Sequence, residues 1–374
     1  MAISKTSNFP EAISGDLVWT ASDFESNEAA YTESLSRKDI LSIEAALEHF
    51  KALGISRGHT SPATFPLSED LANRLRGITD RIYNGCGFHQ LRGLDPTLYT
   101  EAERVIIHAG LTSYVADKRG GNIDHIRDHS LSSPEREKLK PLELPVPMTF
   151  HTDIDVGDTV SLFTQSVPLS GGEQYLASIA SVYNDILERE PEVLKTLAAD
   201  WYWERLFRPA PNQEVIRTFN RPLIAFENGR LQINFAATFV GGNPKYPLST
   251  NAPSLAPEKL RALQVIQEAA KRTCLKLVPE AGDILFINNY ALLHARAAWA
   301  DSADDVWKQR YIMRLWLHDS QKGWKSATAL KRELGESFEV APESQRLLTG
   351  TEWCRIPRAM RVKDMGFAGK EEHD

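Results

Sequence analysis

The residues best suited to chemistry are a histidine and a carboxylate two positions apart, His151 and Asp153. If this segment is a strand, both side chains project from the same face of the sheet. With one more distant histidine they would form the two-histidine, one-carboxylate facial triad, which binds non-haem Fe(II) and leaves coordination positions open. Alone, the pair is weak evidence and is more typical of a surface turn or a hydrogen-bonded histidine. The downstream half of the chain decides between these interpretations.

A second histidine with a suitable setting is His294, which follows an apolar stretch over 284–287 and a turn. It lies 143 residues after His151, so the two histidines can bind one metal only if the fold brings them together. Further on, residues 310–317 alternate as a strand and place Arg310 and Arg314 on one face. Two arginines on a buried strand are costly unless anions pair with them. A dicarboxylate beside the metal would supply that anion, because a guanidinium matches a carboxylate bidentately.

The elements that must position these residues are mostly short strands after a helical first third. Apolar spacing predicts helices from Lys38 to a stop at Gly54, from Ser68 to Gly85, over 100–115 and from Pro257 onwards. Alternating or apolar runs predict strands over 158–166, 174–178, 201–203, 223–226, 231–235, 275–278, 284–288 and 310–318. Asn228 and Gly229 join two of these runs as a hairpin turn.

This pattern predicts a mainly β fold with helical decoration, built on a double-stranded β-helix (jelly roll, cupin-like) core. We expect residues 1–85 to be a helical and irregular lead-in, with the first 38 residues irregular. Residues 86–320 would be the core with insertions. Residues 321–374 would be a C-terminal extension that packs on it.

Composition and charge exclude several classes of protein. The 374 residues have 42% hydrophobic content, enough for a large core. A net charge of -7 and a pI near 5.9 argue against nucleic-acid or anionic-membrane partners. No apolar run approaches the roughly 20 residues of a membrane span. No apolar h-region precedes Pro10, so we expect no signal peptide. Three scattered cysteines without a CxxC motif favour reduced thiols, so we expect a cytoplasmic protein; a homo-oligomer is compatible with the sequence.

These motifs resemble the TauD/TfdA-like, clavaminate-synthase-like Fe(II)/2-oxoglutarate-dependent oxygenases. The similarity runs from about Phe88 to His318, and the part over 151–184 is nearest to fungal members. The matching residues are His151-Thr152-Asp153, Gly171-Gly172-Glu173-Gln174, His294 and Arg310-Tyr311-Ile312-Met313-Arg314.

The resemblance implies a role for each matching site residue. His151, Asp153 and His294 would be the catalytic metal ligands. Arg310 and Arg314 match the family's arginine pair, of which at least one binds the C5 carboxylate of 2-oxoglutarate. Gln174 would join this cofactor site, although it follows Gly-Gly-Glu where well-known members have threonine after Gly-Gly-Asp. The carboxylate at 153 argues against the halogenase branch.

The implied activity is oxidation of an unactivated C–H bond of a small molecule, with release of succinate and CO2. The cofactors would be Fe(II), 2-oxoglutarate and O2, with ascorbate as reductant. Hydroxylation, desaturation and cyclisation are all open to such a centre. The arginines, the aromatic-rich neighbourhood and a charged loop favour an amino acid or a secondary-metabolite precursor as substrate.

Two other classes of function remain open at this point. On a helix, His125 and His129 would share a face as in HExxH zinc hydrolases. The acidic residue of this segment, however, is Asp128, which replaces the glutamate and does not occupy its position in the motif. A non-catalytic jelly-roll protein that binds a small molecule is the other. The charged loop with Lys118, Arg119, His125 and Arg127 is a candidate for binding an acidic substrate. Asn288 and Asn289 are assigned to turn formation.

Overall fold

The protein consists of two main β-sheets with helices packed on them. The computed structural model describes residues 9–129, 139, 143–210, 213–242, 247–332 and 338–356. The helices in these ranges are α1 Arg37–Ala52, α2 Glu69–Asn84, α3 Glu101–Thr112, α4 Ile179–Arg189, α5 Glu192–Ala198, α6 Ala237–Gly241, α7 Pro257–Thr273 and α8 Gly350–Arg355. The strands are β1 Thr32–Ser34, β2 Phe88–Arg92, β3 Lys118–Arg119, β4 Asp124–Arg127, β5 Met148–His151, β6 Thr159–Ser166, β7 Ser170–Gly171, β8 Gln174–Ser178, β9 Trp201–Ala210, β10 Gln213–Arg221, β11 Ile224–Glu227, β12 Arg230–Ile233, β13 Leu275–Leu277, β14 Ile284–Asn288, β15 Leu292–Arg296, β16 Trp299–Ala300 and β17 Tyr311–His318.

The larger sheet has the strand order β1-β2-β14-β6-β17-β3, with β4 also paired to β17, and the smaller sheet has the order β13-β8-β15-β5. Consecutive core strands cross between the sheets, as β5 to β6 and β14 to β15 do. A cavity lies between the sheets, lined by Val160 and Ile287 from the larger sheet and by Leu176 and Ala295 from the smaller one. The expectation of a mainly β fold with helical decoration is therefore confirmed.

The helices cover the sheets with apolar faces at helical spacing. α2 buries Leu71, Leu75, Ile78 and Ile82 at 1% exposure or less, and these residues form one stripe of the helix. α2 packs against β2 and β14 of the larger sheet, whereas α7 packs against β8 and β5 of the smaller one. The predicted starts of α2 after Ser68 and of α7 at Pro257 are confirmed. Nowhere in the described ranges does a helix have the length and apolarity to cross a membrane.

The hairpin predicted at Asn228 and Gly229 is confirmed as β11 and β12. Both turn residues have positive φ, 54° and 72°, the conformation that a two-residue hairpin turn requires. Several strands were not expected, and β1 and β15 are two of them. β1 lies in the lead-in that was predicted to be irregular and pairs in parallel with β2; three residues are too few to show a periodic pattern. The second is β15, which contains His294, a residue that was expected after a turn and not within a strand. β15 pairs with β5 on one side and with β8 on the other. The division of the chain at residues 85 and 320 stays a prediction.

Gly282, just before β14, is expected to be intolerant of any side chain. Its φ is 96°, and a Cβ there would lie 1.9 Å from the carbonyl oxygen of Leu94. We expect Gly282→Ala to lower the free energy of unfolding by about 3 kcal/mol or more, since the backbone strain alone costs about 1–3 kcal/mol. Gly54→Ala is the control, because Gly54 also has positive φ but open space around it. The free energies of unfolding are measured by denaturant titration. An equal decrease in the two variants would contradict the predicted steric clash with Leu94.

Candidate metal centre and co-substrate site

Three side chains capable of binding a metal meet at the end of β5. His151 is the last residue of β5 and lies opposite His294 in the antiparallel register. The two ring centroids are 4.3 Å apart, and His294 Nε2 lies 3.7 Å from Asp153 Oδ1. One ligand atom from each residue lies within 4.8 Å of the others, and no other group of three His, Cys, Asp or Glu side chains among the described residues is arranged so closely. This spacing fits a single metal ion.

Asp153 is held in place by a buried asparagine and not by strand alternation. β5 ends at His151, so the strand predicted to carry both residues stops short of Asp153. Asn289 Oδ1 accepts the backbone N–H of Asp153 at 2.9 Å. Asn289 Nδ2 donates to the carbonyl oxygens of Asp153 and Gly157 at 2.7 and 2.9 Å. This amide therefore closes the turn after β5. Sequence reasoning missed its role, because an asparagine that follows a strand is typical of any turn.

The Asp153 carboxylate is buried and kept ionised by its neighbours. Trp316 Nε1 donates to Oδ2 at 2.7 Å, and Arg314 Nη1 donates to both oxygens at 3.1 and 3.2 Å. Burial alone would raise the pKa of Asp153, but the Arg314 guanidinium and the His294 imidazole outweigh it and hold this pKa below its usual range. The carboxylate is thus in the state that a metal ligand requires.

The orientation of His151 is set by a backbone carbonyl. Its Nδ1 lies 2.8 Å from the carbonyl oxygen of Thr149, which can only accept a hydrogen bond. Nδ1 therefore carries the proton, and the Nε2 lone pair is available to a metal. Such a contact from the second ring nitrogen is usual for histidines that bind metals.

Arg310 supplies a buried cation in the same cavity. Its side chain is 4% exposed, and neither Nε nor Nη1 has a hydrogen-bond acceptor among the described residues. Burial lowers the pKa of Arg310 well below its usual value, and the charge of Arg296 lowers it further. His151 and His294 line the cavity together with Arg310. A buried guanidinium with unpaired donors is costly, so this position fits an anion such as a carboxylate.

Arg314 and Gln174 line the cavity as well, but their settings differ from that of Arg310. Arg314 Nη2 donates to Asp124 at 2.9 Å, so its guanidinium bridges the carboxylates of Asp124 and Asp153. Gln174 is the buried first residue of β8. The sequence prediction that both residues bind the co-substrate stays a prediction.

Comparison with known proteins identifies the family. The family described as taurine catabolism dioxygenase TauD, TfdA family matches residues 50–316, well over half of the chain. The chain belongs to the TauD/TfdA family. Members use Fe(II), 2-oxoglutarate and O2, and this protein is a 2-oxoglutarate-dependent non-haem iron dioxygenase. The family expected from the sequence motifs is thereby confirmed.

Individual relatives agree with this TauD/TfdA assignment. Taurine hydroxylase-like protein SAT17 from Stachybotrys chartarum is 30% identical over 351 residues, which cover 91% of this chain and 88% of that protein. FR-33289 synthase from Streptomyces rubellomurinus is 22% identical over 315 residues, covering 82% and 90%. The crystal structure of an asparagine oxygenase with Fe(II), 2S,3S-3-hydroxyasparagine and succinate has the same fold, with a TM-score of 0.58, 13% identity and coverage of 77% and 93%.

The zinc site considered at His125 and His129 does not form on a helix in this TauD/TfdA protein. Residues 124–127 are strand β4, and His125 contacts the Tyr311 hydroxyl at 2.6 Å and the carbonyl oxygen of Leu348 at 3.1 Å. The neighbouring cations also have protein partners. Lys118 pairs with Glu339, Arg119 bonds Gln345, and Arg127 bonds the Cys354 thiol. Among these neighbours Ile126 lines the cavity between the sheets.

Asn289→Ala is expected to weaken metal binding by roughly 10- to 100-fold, the usual effect of removing a group that orients a ligand. The physical reason is that the turn carrying Asp153 loses all three amide contacts. The measurement is the Co(II) dissociation constant of the metal-free protein, with Co(II) as a spectroscopic substitute for Fe(II). The matched control is Asn288→Ala, since Asn288 is equally buried but bonds Ile82 and Tyr290. Equal metal affinity in the two variants would show that Asn289 only stabilises the fold.

Proposed function

We propose that His151, Asp153 and His294 bind Fe(II) and that Arg310 binds the distal carboxylate of 2-oxoglutarate. The enzyme would oxidise an unactivated C–H bond of a small molecule and release succinate and CO2. One observation carries the proposal: the cavity that the two histidines line also contains a buried arginine whose Nε and Nη1 have no acceptor among the described residues. A metal ion would satisfy the ligand set, and a dicarboxylate would accept hydrogen bonds from these two buried donors of Arg310.

We infer that the two main sheets form a double-stranded β-helix. The support is the strand order, in which β4, β17, β6 and β14 are neighbours in one sheet and β5, β15, β8 and β13 in the other. Such an order results when consecutive strands alternate between two sheets. The metal ligands on β5 and β15 then lie inside the roll, next to the larger sheet.

The protein's part in the reaction is to bind, orient and exclude water. When bound, Fe(II) with 2-oxoglutarate and O2 supplies the oxidising power. The two histidines and Asp153 would hold the metal from one side and leave the other positions open. Apolar side chains, among them Val160, Leu176 and Ile312, line the rest of the cavity and keep water out.

Arg314 would act as a positioning residue rather than as the main clamp for 2-oxoglutarate. Its guanidinium already bonds two carboxylates, so it has less donor capacity to offer than Arg310. It would fix the Asp153 carboxylate together with Trp316. Gln174 would supply a neutral amide donor beside Arg310, in the place where other family members have threonine.

The proposed substrate is an amino acid or a secondary-metabolite precursor. Relatives of the chain are named as a taurine hydroxylase-like protein and as FR-33289 synthase, and the asparagine oxygenase was crystallised with 3-hydroxyasparagine. Two of these names contain a small molecule, taurine and 3-hydroxyasparagine. Hydroxylation is the simplest outcome at such a centre, and desaturation or cyclisation remain as variants of the same oxidation.

The test is anaerobic addition of Fe(II) and 2-oxoglutarate to metal-free protein, followed by absorption spectroscopy. We expect a weak visible charge-transfer band that is absent in His294→Ala. A screen of amino acids by succinate release would then identify the substrate. No band in the wild-type protein, combined with tight zinc binding, would overturn the proposal.

A further inference from the structure

Asp155 has an unusual backbone conformation in the turn that carries Asp153, a proposed metal ligand. It is 4% exposed and has a φ of 56°. Asn228 and Lys331, the other non-glycine residues with positive φ in the described part of the chain, are exposed. Residues with a side chain rarely adopt this conformation, so a buried aspartate keeps it only where the surrounding contacts impose it.

The contacts that hold Asp155 come from two buried arginines. Arg221 donates to both carboxylate oxygens, from Nη1 to Oδ1 at 2.9 Å and from Nη2 to Oδ2 at 3.1 Å. Arg205 Nη1 donates to Oδ2 at 2.8 Å. The two arginines are 1% and 3% exposed. Because buried charges are stable only when they are paired, the carboxylate and the two guanidinium groups depend on one another.

Both arginines belong to the β9–β10 hairpin, which forms a two-stranded sheet outside the two main sheets. Arg205 is in β9, and Arg221 is the last residue of β10. The guanidinium carbon of Arg221 lies 4.5 Å from the ring centroids of both Trp203 and Phe219, which are paired across the hairpin. These aromatic contacts fix the guanidinium group, so the hairpin presents an oriented pair of donors to Asp155.

The hairpin contact complements the amide contacts of Asn289. Asn289 bonds the backbone of Asp153 and of Gly157, and Asp155 lies midway between these two residues. The turn is thus held at 153 and 157 by one amide and at 155 by the hairpin. Without the contact at 155, the strained backbone would relax and move the Asp153 carboxylate relative to the two histidines.

We infer that Asp155 is a positioning residue of the metal centre and acts through its ion pairs with Arg221 and Arg205. The inference rests on the proposed function, because it assumes that Asp153 binds the metal. The β9–β10 hairpin thereby supports the metal centre, although all three proposed ligands lie elsewhere in the chain.

The experiment measures Co(II) binding to the metal-free protein by its dissociation constant and by the visible d–d spectrum, which depends on ligand geometry. Asp155→Asn keeps the size and the tolerance of positive φ but loses the charge. We expect it to weaken binding by about 10- to 100-fold and to change the spectrum. Asp155→Gly, which allows positive φ without a carboxylate, should bind no better. Arg221→Lys keeps the cation but loses the bidentate contact, so it should cause a smaller change in the same direction.

The matched control is Asp283→Asn. Asp283 is also buried, and Arg92 donates to its two oxygens from Nε and Nη2, both at 2.9 Å. It precedes β14, whereas Asn289 follows the other end of that strand. We expect this variant to lose stability in denaturant unfolding but to keep the wild-type Co(II) affinity and spectrum.

The outcomes separate this inference from the proposed function. A wild-type protein that binds no Co(II), or that binds it equally well as His294→Ala, would overturn both. Wild-type affinity and spectrum in Asp155→Asn and Asp155→Gly would overturn the role of Asp155 alone. An equal weakening in Asp283→Asn would also overturn it, because that result indicates a general loss of stability. If Asp155→Asn does not fold, Arg221→Lys decides, and an unchanged affinity and spectrum in that variant would overturn the inference.

Discussion

Asp153→Ala is expected to abolish 2-oxoglutarate turnover and to weaken metal binding by about a hundredfold or more. The estimate follows from structural zinc sites, where about 10–16 kcal/mol is shared among four ligands, so that each ligand contributes about 3 kcal/mol. The substitution removes the carboxylate of the triad and leaves Arg314 and Trp316 without the acceptor they now share. The measurements are succinate release and the dissociation constant for Co(II).

The controls for Asp153→Ala separate loss of a ligand from loss of the fold. Asp153→Glu keeps the negative charge and should retain part of the metal affinity. Circular dichroism and unfolding midpoints show whether each variant is folded. Normal turnover in a folded Asp153→Ala protein would mean that the metal is held elsewhere, and the proposed triad would have to be abandoned.

Arg310→Ala is expected to weaken 2-oxoglutarate binding by roughly 30-fold or more while metal affinity stays close to that of the wild type. Truncating one partner of a buried charged pair costs about 2–5 kcal/mol. The physical reason is the loss of two buried donors that have no acceptor among the described residues. The measurement is a titration of the anaerobic Fe(II) protein with 2-oxoglutarate, and the KM for 2-oxoglutarate in turnover should rise in parallel.

Arg314→Ala provides the comparison for Arg310→Ala. Because Arg314 bonds Asp153 and Asp124, we expect its loss to weaken metal binding more than 2-oxoglutarate binding. Arg310→Ala should therefore weaken mainly 2-oxoglutarate binding, and Arg314→Ala should weaken mainly metal binding. If Arg310→Ala leaves 2-oxoglutarate affinity unchanged and Arg314→Ala lowers it, the clamp has to be reassigned to Arg314.

Residue type and local spacing were sufficient to predict much of the framework. The helical stripes of α1, α2 and α7 and the hairpin at Asn228 and Gly229 depend on contacts within a few residues, so they can be read from the chain. The strands β6, β14 and β17 also agree with their apolar patterns. β1 was missed, because it exists only through its pairing with β2.

The sequence by itself determined which side chains are available for chemistry: a histidine and a carboxylate two positions apart, a distant histidine, and arginines at a strand spacing. Its motifs were also enough to identify the family, which the comparison with known proteins confirmed. These features are properties of short segments. Ligand chemistry depends on residue type, and the direction of a side chain depends on the period of the backbone.

Only the tertiary structure decided how those side chains work together. Asn289 bonds Asp153 across 136 residues of chain, and Arg314 reaches the same carboxylate across 161. The structure also distinguished Arg310, whose buried Nε and Nη1 have no acceptor among the described residues, from Arg314. It placed Arg296 and Arg310 against the same tryptophan, Trp299. Such contacts depend on how two sheets pack, and a local pattern has no information about a partner more than a hundred residues away.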